Sequence, residues 1–315
     1  MPKIIFILSQ AFILCLTGIS LASAQDQNLK IVQLAHNNDV RTYALVGQMQ
    51  QRSPENLGNN ATFGLIVGSD KVILIDPGGS YKGAAQIDAA IKTITDINVT
   101  HVINSGGQDH RWIGNGYFQE KGAKIFASKA ALEDQNARSD MQFVVMENFI
   151  GKDNFAKTTI VFADNVFDEK MELKVGNTEI NIIFSGGAHT PGNSFVHIPD
   201  LNIIFTGDLV YLDRILGILE VSDTQVWLDS FDTMAALNPE IIVPGHGDPA
   251  NLDKAVAQTR NYLVNLREKI GTVIENGGDM NAGTQVDQST FSFLKQFDQL
   301  AKRNAIQLFS QMEFE

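Results

Sequence analysis

The sequence predicts one α/β domain built in layers. Each half of the chain opens with short apolar, β-rich runs and later alternates them with helical periodicity, turn residues punctuate the runs, and no low-complexity tract or linker separates the halves. The 315 residues would allow two small domains, but a 44% hydrophobic content supports a single sizeable core without disulfides.

In chain order, residues 1–24 carry Lys3, an apolar run interrupted by Ser9, Gln10, Thr17 and Ser20, and then Ala22-Ser23-Ala24. This is the pattern of a secretory signal cleaved after Ala24, and the run is short for a membrane-spanning helix. The expectation is a periplasmic or secreted protein with no membrane association after cleavage. Cys15, the one cysteine, lies in this segment. The mature chain then has no disulfide, thiol nucleophile or thiolate ligand. The net charge of -12 disfavours nucleic acid as a partner and leaves a small molecule as the expected one.

Residues 31–46 read as mixed, and residues 51–61 as a turn-rich loop. Residues 62–79 read as a hairpin joined at Gly68-Ser69-Asp70, its second arm ending at Asp76 before Pro77. Ile87, Ala90, Ile91 and Ile94 fall at helical spacing. Strands are expected over 100–104 and 124–128, with a helix over 129–150. The second half predicts strands over 158–163, 171–184, 193–208 and 240–249, then helices at about 251–275 and 289–311.

Three histidines share one kind of place, a glycine-bearing loop just past a β-run: His110 in GGQDHR, His189 in SGGAHTPGN and His246 in VPGHGDP. Asp76 and Asp208 stand at matching strand ends. Strand ends of one sheet converge on an edge, and loops held by a rigid sheet carry chemistry. Imidazole and carboxylate are the ligands zinc accepts when thiolates are absent. Asp76 and Asp208 could instead cap turns, and Asp76 could orient the metal loop from behind. His101 and His197 lie within strands and His36 in a turn, where each is expected to be structural.

The order of these motifs resembles the metallo-β-lactamase superfamily. VILIDPGG resembles its first strand and Asp turn, VINSGGQDHRWIGN its N-T-H-x-H-x-D-H-x-x-G-N loop, GAHTPGN its third metal motif, FTGDLV its bridging aspartate and VPGHG its last histidine. The resemblance covers roughly residues 30–250. It implies an αββα sandwich whose sheet edge normally holds one or two zinc ions with an activated water. Residues 25–315 then form a single domain of this type, with motifs over 62–250 and C-terminal helices over 251–315.

The loop departs from the family pattern. Without gaps, Asn104 and Gly114-Asn115 match at both flanks. The two leading histidines then become Gly106 and Gln108, the aspartate becomes His110 and the last histidine Arg111. A second register pairs Asp109-His110 with the family's Asp-His at the cost of a deletion and an insertion. The ungapped register is preferred because it keeps both loop lengths, and the other stays open. The implied ligands are His110, Asp208 and His246, with His189 and a weak Gln108 at the depleted position. One zinc ion is favoured and two are possible. Asp109, or a carboxylate bound at the metal, is the expected proton acceptor, and Arg111 the expected stand-in for the second ion, steadying a substrate anion or oxyanion. The implied activity is an exported hydrolase acting on a thioester or ester, as in the glyoxalase II type. β-Lactam hydrolysis and a non-catalytic binding protein are the alternatives. Tyr211, Arg214, Leu216, Ile218 and Leu219 either line a pocket mouth or cover the sheet edge.

Overall fold

The computed structural model describes residues 29–315, so the expected signal segment, residues 1–24, lies outside the described residues. Among the described residues two sheets form. The first is a seven-stranded sheet in sequence order, β1 (Lys30–His36), β2 (Arg41–Val46), β3 (Thr62–Val67), β4 (Val72–Ile75), β5 (His101–Asn104), β6 (Lys124–Ser128) and β7 (Asn165–Phe167). It is antiparallel up to β4 and parallel from β4 to β7. The second is a five-stranded sheet with order β12-β11-β10-β9-β8, comprising β8 (Lys170–Val175), β9 (Thr178–Phe184), β10 (Ser194–Ile198), β11 (Ile203–Phe205) and β12 (Ile241–Val243).

The inner faces of the two sheets meet in one core. Ile66, Ile75 and Ile103 of the first sheet pack with Ile182, Val196 and Phe205 of the second. Gly64 lets them approach, since a Cβ there would come within 2.5 Å of the Phe205 ring. Outside the first sheet, Ala84, Ile87 and Ile91 of α1 (Tyr81–Lys92) and Phe118 of α2 (Asn115–Glu120) cover Leu65, Leu74 and Val102. Outside the second, α5 (Thr224–Ala235), α7 (Asn261–Glu275) and α9 (Phe297–Met312) cover Phe195, Ile204 and Ile242. The layers are helix, sheet, sheet, helix: the αββα sandwich. The long α3 (Lys129–Ile150) and the short α4 (Lys152–Phe155) pack Met146, Ile150 and Phe155 against Trp112 and Ile113 at one end. The short α6 (Leu252–Ala255) and α8 (Met280–Gly283) complete the elements named here. No helix among the described residues is long and apolar enough to cross a membrane.

Three expectations change. Residues 31–46, read as mixed, form the β1–β2 pair, whose register shifts between Gln33 and His36 and so blurs the alternation. Residues 158–163 are not a strand. Phe162 stacks on Trp112 at 5.3 Å and the Val161 carbonyl accepts from the Asn115 side chain, so this stretch packs on the motif loop, and β7 begins at Asn165. The last helix starts at Phe297, after Gln296 in the left-handed region at φ 64, while Ser289–Phe291 form a separate 3₁₀ turn.

Candidate metal centre

The motif loop leaves β5 and returns at α2, closed at its base by a reciprocal amide pair. Asn104 and Asn115 each donate to the other at 2.9 Å. Within the loop, Asp109–Arg111 form a 3₁₀ turn that sends successive side chains in different directions. Asp109 points to Arg52, accepting at 3.0 and 2.5 Å. His110 points to Asp208 and His246, with its Nε2 3.4 Å from Asp208 Oδ2. Arg111 turns inward beneath them. It is fully buried and uses all five of its N–H donors: Nε and Nη2 on Asp208 at 3.0 and 2.6 Å, Nη1 on Asp76 at 2.8 Å and the Thr62 carbonyl, and Nη2 on the Gly245 carbonyl. Asp76 reaches its place from a left-handed backbone, φ 68, and accepts from the Ser105 amide and hydroxyl. One guanidinium thus serves two carboxylates, and burial, against the pull of Arg111, raises the Asp76 carboxyl above its ordinary value.

The ligand-capable atoms of His110, Asp208 and His246 lie within 4.8 Å of one another, and all three residues are buried. His246 Nδ1 donates to the Asn60 carbonyl at 2.8 Å, leaving Nε2 bare 3.2 Å from Asp208 Oδ1. His110 Nδ1 lies 2.9 Å from Asp109 Oδ1, and its Nε2 is buried without a hydrogen-bond partner. Two bare imidazole nitrogens and a carboxylate, each oriented from behind, are a donor set that fits a three-ligand metal site. Burial alone would raise the Asp208 carboxyl, but the Arg111 guanidinium and then His110 and His246 hold it well below the usual carboxylate range. Burial pushes the His246 imidazole well below its ordinary value and that of His189 down to about 4, so both are neutral and free to ligate. Tyr211 stacks on His246 at 4.7 Å, and burial, followed by Asp208, keeps its phenol neutral.

The cluster opens on a cavity of about 390 Å³ between the motif loop, α3, the segment after Asp208 and α9. The metallo-β-lactamase superfamily profile matches residues 58–246, more than half of the chain and the whole span from before Asp76 to His246. The chain belongs to the metallo-β-lactamase superfamily. A metallo-β-lactamase type 2 from Bacteroides fragilis is 23% identical over 171 residues, 52% of this chain and 61% of that protein. The chain thus spans less than two thirds of that relative's length. Among solved structures, the stereoselective inverting sec-alkylsulfatase from Pseudomonas sp. superposes with a TM-score of 0.67 at 14% identity, covering 87% of this chain and 50% of that one. The metallo-β-lactamase FIM-1 from Pseudomonas aeruginosa, in a mono-zinc form, superposes at 0.54 and 17% identity, covering 75% and 96%.

Within this superfamily fold, His189 and Gln108 line the same cavity, and His189 stands outside the three-residue cluster. His189 Nδ1 donates to the Gly217 carbonyl at 2.8 Å, and Gln108 keeps a buried Oε1 without a partner. Gly106 has no side chain, and a Cβ there would meet the Asn193 amide at 2.8 Å. Two expected roles change. Arg111 cannot hold a substrate anion, because it is fully buried and its donors are spent. Asp109 is a poor proton acceptor. Burial would raise its carboxyl, but Arg52 and then His110 hold it far below the usual range, and its visible task is to fix the His110 ring. Of the segment after Asp208, Tyr211, Arg214, Ile218 and Leu219 line the cavity, whereas Leu216 belongs to the core under α9. The sequence does not mark Arg52, Asn60, Arg138 or Arg303, which come from a turn-rich loop and two helices and meet the site only in the fold. His101 is half-buried against Phe126, His197 is half-buried in β10, and His36 ends β1 exposed.

Proposed function

We propose that the protein is a zinc-dependent hydrolase with one ion per chain, acting on a small carbonyl ester or thioester. The observation that carries this reading is the buried His110–Asp208–His246 cluster, with its bare Nε2 atoms, at the floor of an open cavity. An ion held there would supply a water of lowered pKa and polarise a carbonyl. His110 and His246 provide the nitrogen donors, aimed by Asp109 and the Asn60 carbonyl. Asp208 supplies charge, while Arg111 and Asp76 set the charge left over for the ion. One ion rather than two is supported by the missing side chain at Gly106 and by the guanidinium beneath Asp208. β-Lactam hydrolysis is the second reading, supported by the names of the Bacteroides and Pseudomonas aeruginosa relatives. We also propose export, on the pattern of residues 1–24. The mass of the protein recovered outside the cytoplasm should correspond to cleavage after Ala24.

Elemental analysis of purified protein should find about one zinc per chain. A chromogenic thioester, ester and cephalosporin panel should show turnover that follows metal content. His246→Ala should lose both metal and turnover. Two tightly held ions would overturn the single-ion reading, zinc-free protein would turn the reading towards a binding protein, and unchanged turnover in His246→Ala would sink the mechanism.

A further inference from the structure

Arg214 is a buried cation with no ion-pair partner among the described residues, Asp208 acting on it only from a distance. It is 5% exposed, and its Nε has no partner. Its one neighbour within hydrogen-bond distance is His246 Nδ1 at 3.2 Å, and that nitrogen already carries its proton toward Asn60, so two donors face each other. The surrounding carboxylates are taken: Asp208 by Arg111, Asp109 by Arg52 and Asp213 by Lys254 at 2.7 Å. An unpaired guanidinium removed from water is costly, and folds keep such a group where something else completes it. Arg214 lines the cavity. So does Arg303 on α9, exposed and, among the described residues, without a hydrogen-bond or ion-pair partner.

One wall near these two cations is apolar, while Arg52, Asp109 and Arg138 line the cavity on the side of the motif loop. Met141, Val145 and Phe149 recur every fourth residue along one face of α3 and line the cavity. Met141 and Phe149 are 54% and 48% exposed, large apolar side chains left in water at the mouth. Ile218, Leu219 and Leu300 line it as well. Arg303 and Leu300 lie beyond residues 58–246, so part of this lining is supplied by chain outside the matched family segment.

We propose that the cavity recognises an amphiphilic anion, with Arg214 and Arg303 holding its oxyanion head and the α3 face holding an apolar chain. This names the substrate class of the site proposed above and rests on that cavity being the active site, but binding of the anion is measurable without turnover. A carboxylate and a sulfate monoester share the required chemistry, so octanoate and octyl sulfate are the two probes and octanol the uncharged control. Calorimetry is run on zinc-loaded and on chelator-treated protein. Either anion should bind in both forms, at least about tenfold more tightly than octanol, the scale of a charge-assisted hydrogen bond. Arg303→Gln should weaken anion binding several-fold and leave octanol unchanged. Arg214→Gln should abolish the preference for the anions. It should also raise the Tm of the ligand-free protein by about 2–4 °C, because it removes a buried charge that has no ion-pair partner and whose desolvation outweighs the pull of Tyr211 and Asp208. A purely structural Arg214 would lower the Tm instead. The proposal is overturned if octanol binds as tightly as both anions, if the anions bind only when zinc is present, or if the two variants bind them unchanged. Absence of turnover or of metal would count against the hydrolase and leave these binding results to stand by themselves.

Discussion

His110 and Arg111 are adjacent in sequence and opposite in use. One turns its bare nitrogen toward the cavity; the other is spent beneath it on two carboxylates and two carbonyls. Arg111→Met would leave Asp76 and Asp208 buried without their cation, so we expect a loss of roughly 3–5 kcal/mol in urea unfolding. Arg111→Lys should recover only part of this, since an ammonium cannot span the fork. A loss under about 1 kcal/mol for Arg111→Met would show that the pair carries little of the fold's stability. His189 sets a pH dependence. Burial holds its pKa at about 4, against about 6.5 in the unfolded chain. The unfolded chain therefore takes up the proton first as pH falls, and metal-free protein should lose stability from about pH 6.5 downward, the contribution ending below about 4. Urea midpoints of chelator-treated protein at about pH 7.5, 6 and 5 should fall in that order. His189→Gln should flatten the fall, and an equal slope in that variant would assign it to another group.

Among the elements, the turn from α6 into α7 supports the site from behind Tyr211. Over Val256–Arg260 the helix widens to a π turn, and Thr259 bonds the Tyr211 backbone on both sides, accepting from its amide at 3.0 Å and donating to its carbonyl at 2.7 Å. Tyr211 in turn stacks on His246. Thr259→Val leaves two buried backbone groups unpaired, which should cost about 1–3 kcal/mol and loosen Tyr211. Zinc affinity should weaken in the same variant, and an unchanged affinity would separate the π turn from the site. The sequence shows nothing of this, because a π turn is a local surplus in an otherwise helical pattern over 251–275. By contrast the β3–β4 hairpin, α3 and the strand ends bearing Asp76, His189, Asp208 and His246 were legible, since glycine turns and apolar runs mark them directly. The β1–β2 pair was hidden by its register shift, and residues 158–163 look like a strand because Phe162 and Val161 serve packing on Trp112 with β-rich chemistry.

Across the whole molecule, the parts of the site that sequence order does not reveal are those delivered by tertiary contact alone. Arg52 sits 57 positions from Asp109, and Asn60 sits 186 from His246. No local pattern announces such partners, whereas His110, Asp208 and His246 carry the glycines of their own turns. The metal, if bound, joins the motif loop, the end of β11 and the loop after β12 into one unit. Its removal by chelator should therefore lower the Tm, by an amount that grows with zinc affinity. Differential scanning with and without chelator, repeated on His246→Ala, checks this: the variant should give one Tm under both conditions, and a chelator effect that persists in it would place the metal elsewhere.

Arg111 also changes what the site depends on. In a pair of ions, both positive centres are acquired from the surroundings, and both are lost when the surroundings run out. Under the one-ion proposal one of them is encoded. It is made when the chain is made, it cannot be leached or exchanged, and it holds Asp76, Asp208 and the Gly245 carbonyl in position whether or not an ion has arrived. Under that proposal, scarcity of metal would silence the protein without dismantling the pocket.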